Sequence, residues 1–173
     1  MITLQARETL ADCAVAIEDF ETSAATKYWR TRWVAVVTLL RSVGYVLEKV
    51  DAPSDPTVGA AISAEFQDLK RSKPEPHIYW EFIDKERHSV VKEMEFGAHL
   101  NITVRPGTAW WNPKTGETGG LPSGETTYDH FMVGSVFEGR DPRELCHQAM
   151  AFWNNHLKQV ERRIAEALAP AAV

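Results

Sequence analysis

Arg87 lies in the run from His77 to Phe96, whose residues Trp80, Ile83, Val90, Val91 and Met94 gather on one arc when plotted at about 100° per residue. Arg87 falls in the middle of that arc. A guanidinium keeps its proton and is costly to strip of water, so it cannot sit unpaired among hydrocarbon. Three arrangements satisfy it: a buried carboxylate partner that fixes helix register, a site for an anionic ligand, or a rim or subunit-interface position. Arg41 poses the same question on another helix, at the edge of an apolar arc beside Val34 and Val37. Two arginines facing one interior repel unless Asp51, Glu48, Glu18 or Glu86 neutralises them, or unless the site takes a phosphate or carboxylate. His156 stands on the apolar stripe of the last helix between Phe152 and Val160. Beside Arg41 and Arg87 it would be a general acid or base next to two anion-holding groups, the equipment for phosphate-ester chemistry. Away from them it is a hydrogen-bonded core histidine. Trp29, Trp33, Trp80 and Trp153 offer an aromatic lining for a small molecule.

These side chains must be held by helices. Residues 28–51, YWRTRWVAVVTLLRSVGYVLEKVD, place Trp29, Trp33, Val36, Leu40, Gly44 and Leu47 on one line, widened by Val37, Leu39, Val43 and Val46. A helix this apolar has helices on most sides and is the central post of a bundle. Before it, Leu4 to Glu21 carries Leu10, Cys13, Ala14, Ile17 and Phe20 on one face, and Glu21 to Thr26 is a short connection to an antiparallel neighbour. Pro53 and Pro56 stop the post, and Thr57 to Arg71 is a shorter helix with Val58, Ile62, Phe66 and Leu69 apolar. After Lys73-Pro74-Glu75-Pro76, the helix bearing Arg87 runs to Phe96, with Gly97 as its C′ residue.

From Ala98 the period becomes two: Leu100, Ile102 and Val104 alternate with polar residues, and Thr127 to Phe137 alternates again. Arg105-Pro106-Gly107 ends the first strand, and the tip through NPKTGETGGLPSG is turn chemistry. Trp110 and Trp111 form the hydrophobic foot by which such an arm packs or dimerises, or else a stacking surface for bases or sugars. Asp141-Pro142-Arg143-Glu144 opens the last helix with an N-cap acid, a proline at N1 and a glutamate at N3. Its buried stripe is Leu145, Ala149, Phe152, Trp153, Val160, Ile164 and Leu168, Arg162-Arg163 is a solvated face, and Ala169-Pro170 is its stop. The expected fold is mainly α, one domain over 1–173: a four- or five-helix up-down bundle with a β-hairpin, about 98–138, inserted between the last two helices.

A chain of 173 residues with 44% hydrophobic and 25% charged residues has the composition of one ordered globular domain. The net charge of −5 gives no global attraction to nucleic acid, so RNA would need a local basic patch. Cys13 and Cys146 belong to no C-x-x-C pair and read as core thiols of a reducing compartment. His77, His88, His99 and His130 lack ligand-type partners at helical spacing, so neither a metal nor another cofactor is expected. The early charges and the absence of a long apolar run point to a cytoplasmic protein that does not enter a membrane.

Arg140-DPRELC-His147 carries an arginine and a histidine with six residues between them, and Glu86-Arg87-His88 is an arginine-centred segment on an inner helix. With the bundle layout, these residues resemble the HEPN class of bacterial helical domains, many of which are dimeric ribonucleases. The resemblance implies a homodimer, RNA as a partner and catalytic roles for Arg140 and His147, with Arg87 and His156 as further candidates. The residues thus support three functions: an anion- or RNA-binding HEPN-like protein with ribonuclease activity, using Arg41 and Arg87 to hold its ligand; a non-enzymatic dimer whose arginines are paired internally; or a small-molecule binding module lined by tryptophans, Trp33 and Trp80 among them.

Overall fold

The computed structural model describes residues 4–22, 28–105, 107, 109–120 and 126–169. The expected connection through Thr26, the strand stop at Pro106, the tip beyond Gly120 and the helix stop at Pro170 lie wholly or partly outside them. Among the described residues five helices form a bundle, with a β-hairpin inserted before the last.

Helix α1, Ala6–Thr22, buries Leu10, Cys13, Ile17 and Phe20 of the face its spacing predicts, while Ala14, expected on that face, is exposed and Ala6 is buried in addition. Helix α2, Trp29–Val46, is the central post: Trp33, Val36, Val37, Leu40 and Val43 are buried, and it packs against α1, the fourth helix and α5. It continues as a π-helical turn, Leu47–Asp51, and a 3-10 turn, Ala52–Ser54. That continuation brings the Asp51 carboxylate to the start of α1. Its Oδ1 accepts from the Gln5 amide at 2.8 Å and its Oδ2 from the Ala6 amide at 3.0 Å. Asp51 is thus a helix cap supplied from another helix, and it is not a neutraliser of the arginines.

Helix α3, Pro56–Arg71, starts on Asp55, whose side chain accepts from the Thr57 and Val58 amides, with Pro56 at N1. The fourth helix is composite: π-helical over Ile78–Asp84, α-helical over Lys85–His88 (α4) and π-helical again over Ser89–Glu93. Its buried line runs through Tyr79, Phe82, Ile83, Glu86 and Val90, the three- and four-residue spacing of one helical face. The expected arc centred on Arg87 includes Val91 and Met94, which are exposed, and leaves out Tyr79 and Phe82, which are buried; the charge in the core is Glu86, and Arg87 is half-buried beside it. The helix stops at Met94, which takes the left-handed conformation (φ 57°) and is exposed. Gly97 is not its cap; its amide donates to Glu86 Oε1 at 2.9 Å, and Trp33 Nε1–H donates to the same oxygen at 3.0 Å. Burial pushes the Glu86 carboxyl up from the ordinary range, and these donors oppose the shift.

Strand β1, Ala98–Val104, pairs antiparallel with β4, Thr126–Met132, from Ala98 opposite Met132 to Val104 opposite Thr126. A second pair follows: β2, Ala109–Trp111, pairs antiparallel with β3, Thr118–Gly120, and β3 lies within the stretch expected to be turn throughout. Gly119 is required there, because a Cβ would stand 2.7 Å from the Trp110 ring. The expected strand through Phe137 ends at Met132. Gly134 adopts φ 69°, and the chain turns back so that the Gly139 amide reaches the Met132 carbonyl at 2.8 Å. Phe137 is tucked against Phe82.

Helix α5, Pro142–Leu168, is capped by Asp141, which accepts from the Arg143 amide at 2.8 Å. It buries Leu145, Cys146, Ala149, Trp153, Leu157, Val160 and Ile164, while Leu168, expected on this stripe, is exposed. Arg163 does not face open solvent; it ties α5 to Glu65 and Asp68 of α3. Burial pushes the Cys13 thiol up to about 12 and the Cys146 thiol well above its usual value, so both are inert core groups.

Candidate functional site

Arg41 and Arg87 line one open cleft between α2 and the fourth helix, together with Ser42, Tyr45, Asp84 and His88. The helix pair explains the convergence. Arg41 flanks the buried line of the post and Arg87 follows buried Glu86 by one residue, so each stands at the edge of its helix's buried face, beside the shared groove. Arg41 Nε–H donates to Asp84 Oδ1 at 2.9 Å, so its carboxylate partner is none of the four expected from the sequence, Asp51, Glu48, Glu18 and Glu86. Arg87 has no hydrogen bond or ion pair with the described residues. His88 stands 3.7 Å from Glu93. The cleft therefore holds two permanent positive charges against one carboxylate.

On its other side Arg41 borders a second space, a chamber of about 260 Å³ between α3 and the rest of the bundle. Tyr79, Trp153 and His156 line its inner end, Ile62, Phe66 and Leu69 its α3 wall, and Gly44 and Leu47 its α2 wall. Gly44 has no room for a side chain: a Cβ would lie 2.7 Å from Trp153 Cη2 and 3.3 Å from Arg41 Nη1. The arginine head group and the indole thus meet over that glycine. Lys70 lies over the Phe66 ring at 4.6 Å, and Glu48, also on the rim, pairs with Lys49.

His156 is 8% exposed, stacks on Phe152 at 5.6 Å and has Nδ1 4.0 Å from Glu65 Oε1. Burial lowers its pKa, and the Glu65 charge opposes this. A neutral imidazole in an aromatic wall is the state at pH 7. It lines the chamber and not the cleft, so the two arginines and this histidine meet only through Arg41.

The remaining candidates are dispersed. Arg140 spreads over Phe137 and stands 3.7 Å from Glu144, whereas His147, 63% exposed along its side chain, bonds Glu21 at 2.7 Å. They share no partner. His156 lies nine residues beyond His147, roughly 13 Å along the helix. Trp33 is fully buried, spends its N–H on Glu86 and borders neither the cleft nor the chamber. Trp80 is covered by Lys73 at 4.7 Å, and its N–H is buried without a partner.

Sequence reasoning missed His130. It is 6% exposed at the root of the hairpin, edge-on to Phe20 and Trp29, and neither ring nitrogen has a hydrogen-bond partner. Its place in the alternation of β4 could have signalled burial, but its lack of partners is a tertiary fact. Among the described residues no group of three or more His, Cys, Asp or Glu side chains could hold a metal ion, and no helix is long and apolar enough to cross a membrane. Set against known protein families, curated proteins and solved structures, the chain finds no match.

Proposed function

We infer that the protein is a binding module for a small anionic ligand, held by Arg41 and Arg87 in the cleft between α2 and the fourth helix. The observation that carries this reading is the free guanidinium of Arg87 beside an arginine whose single carboxylate partner is already engaged. Like charges in a partly desolvated groove repel, and an arriving carboxylate or phosphate converts that repulsion into charge-assisted, bidentate hydrogen bonds. Titration with inorganic phosphate and with acetate, followed by NMR shifts of the α2 and α4 amides, tests it. Arg87→Gln should weaken binding tenfold or more, since hydrogen bonds to charged groups contribute about 1.5–3 kcal/mol. Its thermal midpoint should hardly move, because the replaced side chain has no partner to orphan. Absence of any shift in the wild-type cleft would overturn the reading.

A second reading concerns assembly. Ile102, Val104, Trp110 and Trp111 are all more than half exposed on the hairpin. Such a surface supports contact between two copies of the chain through their arms.

A further inference from the structure

We propose that the ligand of this site is an amphipathic monocarboxylate, its hydrocarbon body filling the chamber beneath Trp153 and Tyr79 and its carboxylate resting on Arg41. The proposal rests on the anion-binding reading and adds the substance of the molecule that carries the charge.

Arg41 is the one side chain common to the two spaces. Over Gly44 its Nη1 turns toward the Trp153 ring from the partly exposed side of the chamber, while Nε is turned to Asp84. An apolar chamber closed at one end by a guanidinium matches a molecule with an oily body and a negative end. An inorganic anion would use only the cleft and would leave the aromatic walls without a partner. A neutral hydrocarbon would use only the chamber.

Size narrows the class further. At ~30 Å³ for a water-sized group, 260 Å³ accommodates about eight such groups, room for a chain of six to eight carbons or a bicyclic aromatic body. The walls offer few hydrogen bonds deep inside. Trp153 is 1% exposed with its N–H unpartnered, and His156 is neutral, so the buried part of the ligand carries no charge of its own. At the rim, Lys70 adds positive charge and Glu48 is already paired with Lys49. That arrangement favours one negative group per ligand near Arg41, with Arg87 adding attraction from the cleft side.

The probes are acetate, butanoate, hexanoate, octanoate and decanoate, with hexan-1-ol as the neutral match for hexanoate, each titrated calorimetrically into the full chain. Affinity should rise about fourfold per added methylene up to octanoate and level off at decanoate, the increment of a methylene leaving water. Hexan-1-ol should bind at least tenfold more weakly than hexanoate. Ser63→Trp, a change at an exposed position of the chamber rim, should abolish the chain-length gain while acetate binding persists. If acetate binds with dependence on Arg87 but the longer acids gain nothing, the amphipathic ligand is overturned and the anion site stands. If no carboxylate and no phosphate binds, both fall. If Ser63→Trp does not fold, the length series on the wild-type chain decides alone.

Discussion

His130 is the side chain whose environment is least like its chemistry. Its imidazole is packed edge-on against Phe20 and Trp29 with both nitrogens unpartnered, and burial, reinforced by the Arg143 charge, holds its pKa below the ordinary value. Asp141 and Asp129 pull the other way and do not prevail. In the unfolded chain the ring titrates near its ordinary value of about 6.5. Between that value and the lower folded one, the unfolded state binds more protons, so stability falls as pH falls through this window and changes no further below it. His156 acts in the same direction. A phenyl ring suits the site better than an imidazole does. His130→Phe should raise stability at pH 7 by about 1 kcal/mol, because two unpaired polar atoms leave the interior, and should flatten part of the acid limb. Urea denaturation at pH 7 and pH 5 checks both; a variant that loses more stability than wild type on acidification would contradict the assignment.

Among the elements, the joint between α1 and the end of α2 depends on a single buried carboxylate. Asp51 is 5% exposed and satisfies two amide donors at the start of α1 that the helix cannot satisfy itself. Asp51→Ala leaves the buried Ala6 donor and the partly buried Gln5 donor unpaired, at a cost of about 2 kcal/mol, whereas Asp51→Asn keeps one acceptor oxygen and should cost about half as much. Equal loss in the two variants, measured by urea denaturation, would mean that packing and not capping fixes the joint. Much at this scale was legible in advance. The post helix, the cap of α5 by Asp141 and the paired strands all follow from local patterns, since 3.6- and 2-residue periods and capping chemistry are properties of the chain alone. The phase of the fourth helix was not. At about 100° per residue Tyr79, Phe82, Ile83, Glu86 and Val90 fall on one arc and Trp80, Ile83, Arg87, Val90, Val91 and Met94 on the arc next to it; both are apolar, and the packing of the neighbouring helices decides between them. The meeting of Arg41 and Arg87 was a stated possibility of the sequence; their shared cleft, and Asp84 as the partner of Arg41, depend on where two helices cross, which no single-helix pattern contains.

For the molecule as a whole, the hairpin and the bundle stand on different energetic footings. Of β1 only Ala98 is buried, and of β4 only His130 and Met132; the outer strands β2 and β3 bury nothing fully. The arm is therefore anchored at its root, and a hairpin without further cover is only marginally stable in water. Its exposed Trp110 and Trp111 each carry an aromatic area of about 150–250 Å², enough to drive association when two arms meet. The arm's outer half can thus be removed without touching the core. Ile102 stands opposite Tyr128 in the register, so an Asn-Gly turn joining these two residues in place of 103–127 preserves the root contacts and supplies a two-residue hairpin loop. The shortened chain should match the full chain in thermal midpoint within a few degrees, since a change below about 1 kcal/mol moves a domain of this size by no more than that. Octanoate binding should be unchanged, because no residue of the cleft or chamber belongs to the arm. In sedimentation velocity the full chain should form a dimer that the shortened chain does not. A shortened chain that unfolds would show the arm to be part of the core, and a full chain that remains monomeric at its highest attainable concentration would remove the arm's role in assembly.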